Sequence, residues 1–170
     1  MKHSAAPRRP SATLAVLAVG MFLLAPQIGE AQRRAPDHAD VVYGSVGDRE
    51  LLLDVYLPDD GAIAPLVVWV HGGAWRGGSK DQPFPRALRD TGYAVASLDF
   101  RLSGEAPFPA QVHDIEAALR FLRGEAGRLG YSAEMMALAG VSSGGHLAAL
   151  VAVTAGDSVL EGAIGDYLGV

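Results

Sequence analysis

The sequence predicts an α/β fold with a largely parallel sheet. Three observations lead there. Strand-like apolar runs alternate along the chain with segments of helical periodicity. Leu66 to Val70 is an unbroken apolar run rich in β-branched residues, the pattern of a parallel strand covered on both faces. Finally, two glycine-rich loops each follow directly on such a strand, which puts both at the same end of a parallel sheet.

Length and charge narrow the classes. The chain has 170 residues, a net charge of −5 and no cysteine. One domain is expected at this length, and its stability must come from the core, because disulfides are impossible. The mild acidity argues against a nucleic-acid binder, which would carry a basic patch. Glycine and proline are plentiful, but they punctuate the chain and form no low-complexity tract or repeat.

The first 31 residues read as a secretory signal. Lys2, Arg8 and Arg9 make a basic start, Leu14 to Ala25 is an apolar run, and Gly29 to Ala31 supplies small residues at a cleavage-site spacing. Cleavage is expected after Ala31, giving a secreted or periplasmic protein with no stable membrane anchor. A retained anchor is the alternative, but the apolar run is shorter than the roughly 20 residues a span needs. Residues 32–40 are polar and read as a linker, and residues 41–170 carry the fold.

Val41 to Pro58 gives two strand-like runs separated by "GSVGD", a hairpin signal. In the second, Leu51, Leu53, Val55 and Leu57 alternate with Leu52, Asp54 and Tyr56, which predicts one well-buried face. Leu66 to Val70 is the next strand. Pro83 to Gly92 reads as a short helix closed by its glycine, and Tyr93 to Phe100 as a buried strand. The clearest helix runs through "FPAQVHDIEAALRFLRGEA" with Pro109 near its first turn. Val112, Ile115, Leu119 and Leu122 share one face, while Glu116, Arg120 and Arg123 lie elsewhere. "MMALAG" is a strand entering a glycine-rich turn. "GGHLAALVAVTAG" is apolar nearly all round, as in a helix packed centrally on a sheet.

The two glycine-rich loops carry the chemistry. "GVSSGG" reads Gly-x-Ser-x-Gly at Gly140, Ser142 and Gly144, the spacing of a nucleophilic serine on a sharp strand-to-helix turn. The two glycines let strand and helix approach, and the strained serine stands above the sheet edge. Ser143 has the wrong spacing for the nucleophile. The helix that begins there points its positive end and free N–H groups at the site. A developing oxyanion needs such donors fixed in advance. Ser143 N–H is one candidate, and the loop "HGGAW" offers Gly73 and Ala74. Neither loop reads as a dinucleotide fingerprint, and Lys80 lacks the context of a P-loop. No cofactor and no metal are expected.

The five histidines offer no clear base. His3 lies in the signal and His38 in the linker. His71 opens the oxyanion loop, where a structural role through hydrogen bonds is expected. His113 is expected at a surface or cap, and His146, one helical turn past Ser142, is poorly placed to aim a ring nitrogen at the hydroxyl. Asp99 and Asp114 are read as partners of Arg101 and local backbone. Trp75 and Phe108 fit either an acyl pocket or the core.

The motifs "HGGAWRGGSK", "LDFRLSGEAPFPAQVHDIEAALRFLR" and "GVSSGGHLAAL" together resemble the α/β-hydrolase superfamily. The match is to its bacterial feruloyl-esterase-like carboxylesterases, with the Arg-Leu-x-x-Glu-x-x-Phe-Pro-Ala run shared by hormone-sensitive-lipase-like esterases. It covers Val42 to Gly156. Trp75, four residues after the loop histidine, is also similar to kynurenine formamidases. The resemblance implies hydrolysis of small-molecule carboxylic esters through an acyl-enzyme on Ser142, with the N–H groups of Gly73, Ala74 and Ser143 as oxyanion hole and His71, Gly140 and Gly144 as structural support.

One departure stands out. In that superfamily the order is Ser, then Asp or Glu, then His. After Ser142 only Asp157, Glu161 and Asp166 remain as acids, and no histidine beyond His146. Triad acid and base are therefore not expected within this chain. The resembled sheet continues past the elbow strand, so here that strand is expected at an apolar, aggregation-prone edge. On this reading the chain is the N-terminal part of a longer enzyme, holding the first five strands and having doubtful activity alone. An arylformamidase or peptidase on the same scaffold, or a non-catalytic binding protein that kept the fold, are the competing readings.

Overall fold

The computed structural model describes residues 35–85 and 87–169. The expected signal peptide and the first residues of the expected linker lie outside the described residues. β1 (His38–Val46) and β2 (Arg49–Tyr56) form an antiparallel hairpin across Gly47-Asp48, with Gly47 left-handed at φ 57°. Pairing continues through Gly44 to Val46, so the turn is tighter than "GSVGD" suggested. The strand also begins inside the segment read as linker. His38 is tied there by Nε2 donating to the Leu129 carbonyl at 3.1 Å.

β3 (Pro65–Val70), α1 (Ala87–Asp90), β4 (Ala94–Leu98) and α2 (Ala110–Gly124) follow. α1 is a single turn, shorter than the predicted helix. Pro83 and Pro85 explain this, because each disfavours helical backbone in the residue before it. α3 (Ala126–Leu129), β5 (Ser132–Gly140), α4 (Ser143–Val153) and α5 (Ser158–Glu161) complete the order. The one-turn α3 and α5 carry no periodicity to read. Gly130, left-handed at φ 85°, closes α3, and Asp157 caps α5 by accepting from the N–H groups of Val159 and Leu160.

The sheet order is β1-β2-β4-β3-β5. β3 pairs in parallel with β4 and β5, while β1–β2 and β2–β4 are antiparallel, so the sheet is mixed rather than largely parallel. One face carries the main core: Leu51, Leu53 and Val55 of β2, Leu66, Val68 and Val70 of β3, and Ala94, Ala96 and Leu98 of β4. Val112, Ile115 and Leu122 of α2 and Leu147 and Val151 of α4 cover it.

β2 was expected to have a single buried face, but both of its faces are buried. Tyr56 packs with Trp69, Phe84 and Val95 in a second cluster, and Asp54 is 3% exposed. The chain between β3 and α1 folds across that side and brings Phe84 and Lys80 onto it. Arg120 of α2 is also buried where an outward position was expected. The segment after α5 folds over it, and its guanidinium donates to the carbonyls of Glu161 and Ile164. α4, by contrast, buries only one side, and Val153 is exposed. β5 lies at the sheet edge with Met135 exposed.

Asp114 of α2 is fully buried and fixes the loop after β4. It accepts from Arg101 N–H at 2.8 Å and pairs with the guanidinium, Nη2 to Oδ1 at 2.7 Å. Hydrogen bonds that Arg101 donates to Asp114, against the desolvation of burial, hold the Arg101 pKa above its ordinary value. Removing Asp114 leaves the Arg101 charge without its partner and takes the acceptor from three of its donors, the backbone N–H, Nε–H and Nη2–H. Asp114→Ala is expected to destabilise the fold by about 3–5 kcal/mol, read as a lower urea midpoint at an unchanged slope.

Candidate active site

β3 and β5 are parallel neighbours, with Val70 opposite Gly140. Both glycine-rich loops therefore leave the sheet side by side, at the carboxyl ends of their strands. Their contact is close: a Cβ on Gly72 would lie 3.4 Å from the Ser142 Cβ and 3.0 Å from the Val141 carbonyl oxygen. Two segments seventy residues apart in sequence thus share one small surface.

Ser142 has φ 54° and ψ −121°, a backbone conformation that side-chain-bearing residues rarely adopt. It sits at the N-cap of α4, yet its hydroxyl makes no cap hydrogen bond. An ordinary N-cap serine would spend its oxygen on the helix's own N–H groups. Here the twist leaves the hydroxyl exposed and the Ser143 N–H available, while the Gly144 N–H donates to the Val141 carbonyl. Gly140 and Gly144 make the turn possible. A Cβ on Gly144 would stand 2.2 Å from the Val70 carbonyl oxygen and 2.4 Å from that of His71, and one on Gly140 would stand 2.6 Å from the Gly144 carbonyl carbon. No side chain fits either place.

The "HGGAW" loop is equally constrained. Gly73 has φ 130°, and a Cβ there would fall 2.0 Å from the Gly77 carbonyl oxygen. Ala74 and Trp75 are both left-handed, at φ 53° and 60°. The Gly73 carbonyl accepts from the N–H groups of Arg76 and Gly77, each at 3.0 Å, and closes the loop on itself. Among the described residues, the N–H groups of Gly73, Ala74 and Ser143 donate to no backbone or side-chain acceptor. The last of these opens an eleven-residue helix whose dipole favours negative charge at that end. The Ser143 side chain is buried, and its Oγ has no partner among the described residues.

His71 is buried and turned inward. Its Nδ1 donates to the Gly72 carbonyl at 2.7 Å, and its ring stacks on Phe100 with centroids 4.5 Å apart. Gly78 packs against that ring, since a Cβ there would come within 2.3 Å of Nδ1. The other described histidines also have partners away from Ser142. His38 and His113 bond the carbonyls of Leu129 and Val159, and His146 is exposed with its ring set edge-on to Trp75 at 5.5 Å. No hydrogen bond joins any of them to the serine. Asp157 caps α5, Glu161 accepts from Gly156 N–H, and Asp166 is exposed.

Asp99 does not pair with Arg101. Its carboxylate accepts from Lys80 N–H at 2.6 Å. Burial raises its pKa, while that hydrogen bond and the nearby His71 act against the rise. Trp75 and Phe108 are 41% and 62% exposed, so neither is a core residue. The group that sequence reasoning missed is Lys80, whose ammonium lies buried among Asp40, Asp54 and Asp81. No local pattern signalled it, because Asp54 falls on the face of β2 that the alternation leaves outward.

The BD-FAE family model matches residues 53–170. The esterase LipQ of Mycobacterium tuberculosis is 33% identical over 139 residues, which cover 78% of this chain and 33% of that protein. Among solved structures, a bifunctional GH43-CE protein of Bacteroides eggerthii superimposes with a TM-score of 0.69 at 36% identity, over 76% of this chain and 20% of that one. A bacterial heroin esterase gives a TM-score of 0.63 at 32% identity, over 83% of this chain and 46% of that one. The chain spans about one third of the length of the curated relatives it matches.

The glycine contacts can be tested without any assay of activity. Gly144→Ala forces a methyl group into two carbonyl oxygens and is expected to cost at least about 1–3 kcal/mol. Gly127→Ala, where a Cβ meets nothing within 4 Å, is expected to be neutral or stabilising by about 0.5–1 kcal/mol. Paired urea melts check the contrast. Equal stabilities would contradict the packing described for the turn.

Proposed function

The chain belongs to the BD-FAE family and has the α/β-hydrolase fold over the strands it contains, and on that footing we propose that the protein hydrolyses small-molecule carboxylic esters through an acyl-enzyme on Ser142. One observation supports this above the others. An exposed serine hydroxyl in a strained turn stands beside backbone N–H groups, from two separate loops, that have no acceptor among the described residues.

In the proposed reaction Ser142 Oγ attacks the ester carbonyl carbon and gives up its proton to a base. The carbonyl oxygen becomes an oxyanion held by the N–H groups of Gly73, Ala74 and Ser143. Such a donor is worth about 3–4 kcal/mol when it is aimed before the charge appears. As the C–O bond breaks, the proton passes to the departing alcohol. Water, deprotonated by the same base, then attacks the acyl carbon and releases the acid and Ser142. His71 supports the loop from below, and Gly140 and Gly144 allow the turn.

None of the described histidines hydrogen-bonds Ser142, and of the acids that follow it Asp157 and Glu161 are engaged in capping and turn contacts. The proposal assigns both roles to groups outside the described residues. It also includes export, through a signal cleaved after Ala31.

A fluorophosphonate probe applied to the natural-length protein is expected to label Ser142. Ser142→Ala abolishes labelling and lowers hydrolysis of p-nitrophenyl acetate by roughly 10⁶-fold or to background. Ser143→Ala retains both. Residues 35–170 alone are expected to label only faintly. Strong labelling of that piece would mean that a base lies within it, and unchanged hydrolysis in Ser142→Ala would overturn the assignment.

A further inference from the structure

Lys80 ends the loop that begins at His71, and every polar group it has is engaged. Its ammonium lies 2.8 Å from Asp40 Oδ1, 2.9 Å from Asp54 Oδ2 and 3.4 Å from Asp81 Oδ1. Its N–H donates to Asp99 Oδ1 at 2.6 Å, and its carbonyl accepts from Ser97 Oγ at 2.7 Å. β1, β2, β4 and the residue just past β4 thus converge on one position. Lys80 is 8% exposed and Asp54 3%. Burial alone would lower the lysine pKa, but the hydrogen bonds of Asp40 and Asp54 outweigh it and hold the pKa above its ordinary value.

Burying one ammonium among carboxylates is a poor way to stabilise a fold, because desolvation offsets most of the attraction. What such a cluster does supply is a fixed position. The loop needs one: Gly72, Gly73, Gly77 and Gly78 give it little conformational preference of its own. Two residues before Lys80, Gly78 is wedged against the His71 ring and the Gly72 carbonyl, with a Cβ there 2.3 Å from each. Displacing Lys80 therefore moves Gly78, and through it His71 and Gly72. Gly73 and Ala74, with their free N–H groups, come next in the chain.

We propose that Lys80, clamped by Asp54, Asp40 and Asp99, is a positioning residue that fixes the direction of the Gly73 and Ala74 N–H groups toward the oxygen of the substrate. The proposal rests on the reading of those groups as oxyanion donors. Lys80 touches no substrate and acts only through the loop.

Lys80→Met alone would strand the buried Asp54 carboxylate. The test therefore uses the double variant Lys80→Met/Asp54→Asn in the natural-length protein, where Asn Oδ1 still serves the Asp40 N–H that Asp54 accepts at 2.8 Å. Two readouts are taken. Hydrogen exchange is expected to speed up about tenfold or more at the Arg76 and Gly77 amides, which close the loop, while the amides of α2 stay protected. Hydrolysis of p-nitrophenyl acetate is expected to lose about 10–100-fold in kcat with KM within about threefold, since donors misplaced by an ångström affect the transition state most. Unchanged exchange at Arg76 and Gly77 overturns the clamp. Faster exchange with kcat unchanged overturns the positioning role, as does a loss that only follows the fraction unfolded. A wild-type protein without ester hydrolysis overturns the catalytic half together with the esterase reading, and the exchange data still decide the clamp.

Discussion

The carbonyl oxygen of Val70 is the point about which the site is organised. It accepts from the Val141 N–H at 3.3 Å and so pins the end of β5 to the end of β3. It also stands where a side chain on Gly144 would have to go. The first turn of α4 consequently rests on the backbone of the neighbouring strand. That closeness tips α4 over the main core, where Leu147 and Val151 are buried, and forces the abrupt reversal at Ser142. Strain at the serine is thus sustained by packing on both sides and by no bond of its own hydroxyl. The same closeness brings Gly72 against Ser142, so one local contact creates both the turn and its relation to the second loop.

Around this point the buried charges of the molecule serve to hold its loops. Asp114 holds the segment after β4 by meeting both the backbone and the guanidinium of Arg101. Lys80 and its aspartates hold the segment after β3. In each case the pair joins a strand-following loop to an element that is already rigid. Side chains of this kind add little net stability for the water they give up. They do limit the ways in which a glycine-rich segment can sit, which hydrophobic burial, being non-directional, cannot do.

Much of this was legible in the sequence because it is governed by local pattern. Leu66 to Val70 and the alternating β2 follow from side-chain periodicity, and α2 from the spacing of Val112, Ile115 and Leu122. The turn at Ser142 was legible because its glycines answer to steric demands that no other residue meets. What escaped depends on contacts distant in the chain. Asp54 and Tyr56 looked outward because nothing local to β2 announces that the loop bearing Lys80 and Phe84 will cover them. Arg120 looked solvated for the same reason, its cover arriving from carbonyls some forty residues on. The antiparallel pairing of β2 with β4 is likewise a choice among partners that periodicity does not make. Partners for His38 and His113 were invisible because a hydrogen bond to a backbone carbonyl leaves no pattern in the residue that offers it.

The order β1-β2-β4-β3-β5 carries a consequence for how the chain acquires its shape. β4 lies between β2 and β3, which precede it in sequence and never pair with each other. During synthesis the hairpin and β3 must therefore wait as separate pieces until β4 emerges and joins them edge to edge. The early chain cannot consolidate stepwise, since its first long-range pairing closes a loop that contains β3, the glycine-rich segment and α1. Until then, strand edges on both pieces stand open to whatever else pairs with them, and a chaperone or a slow ribosome would act on this interval.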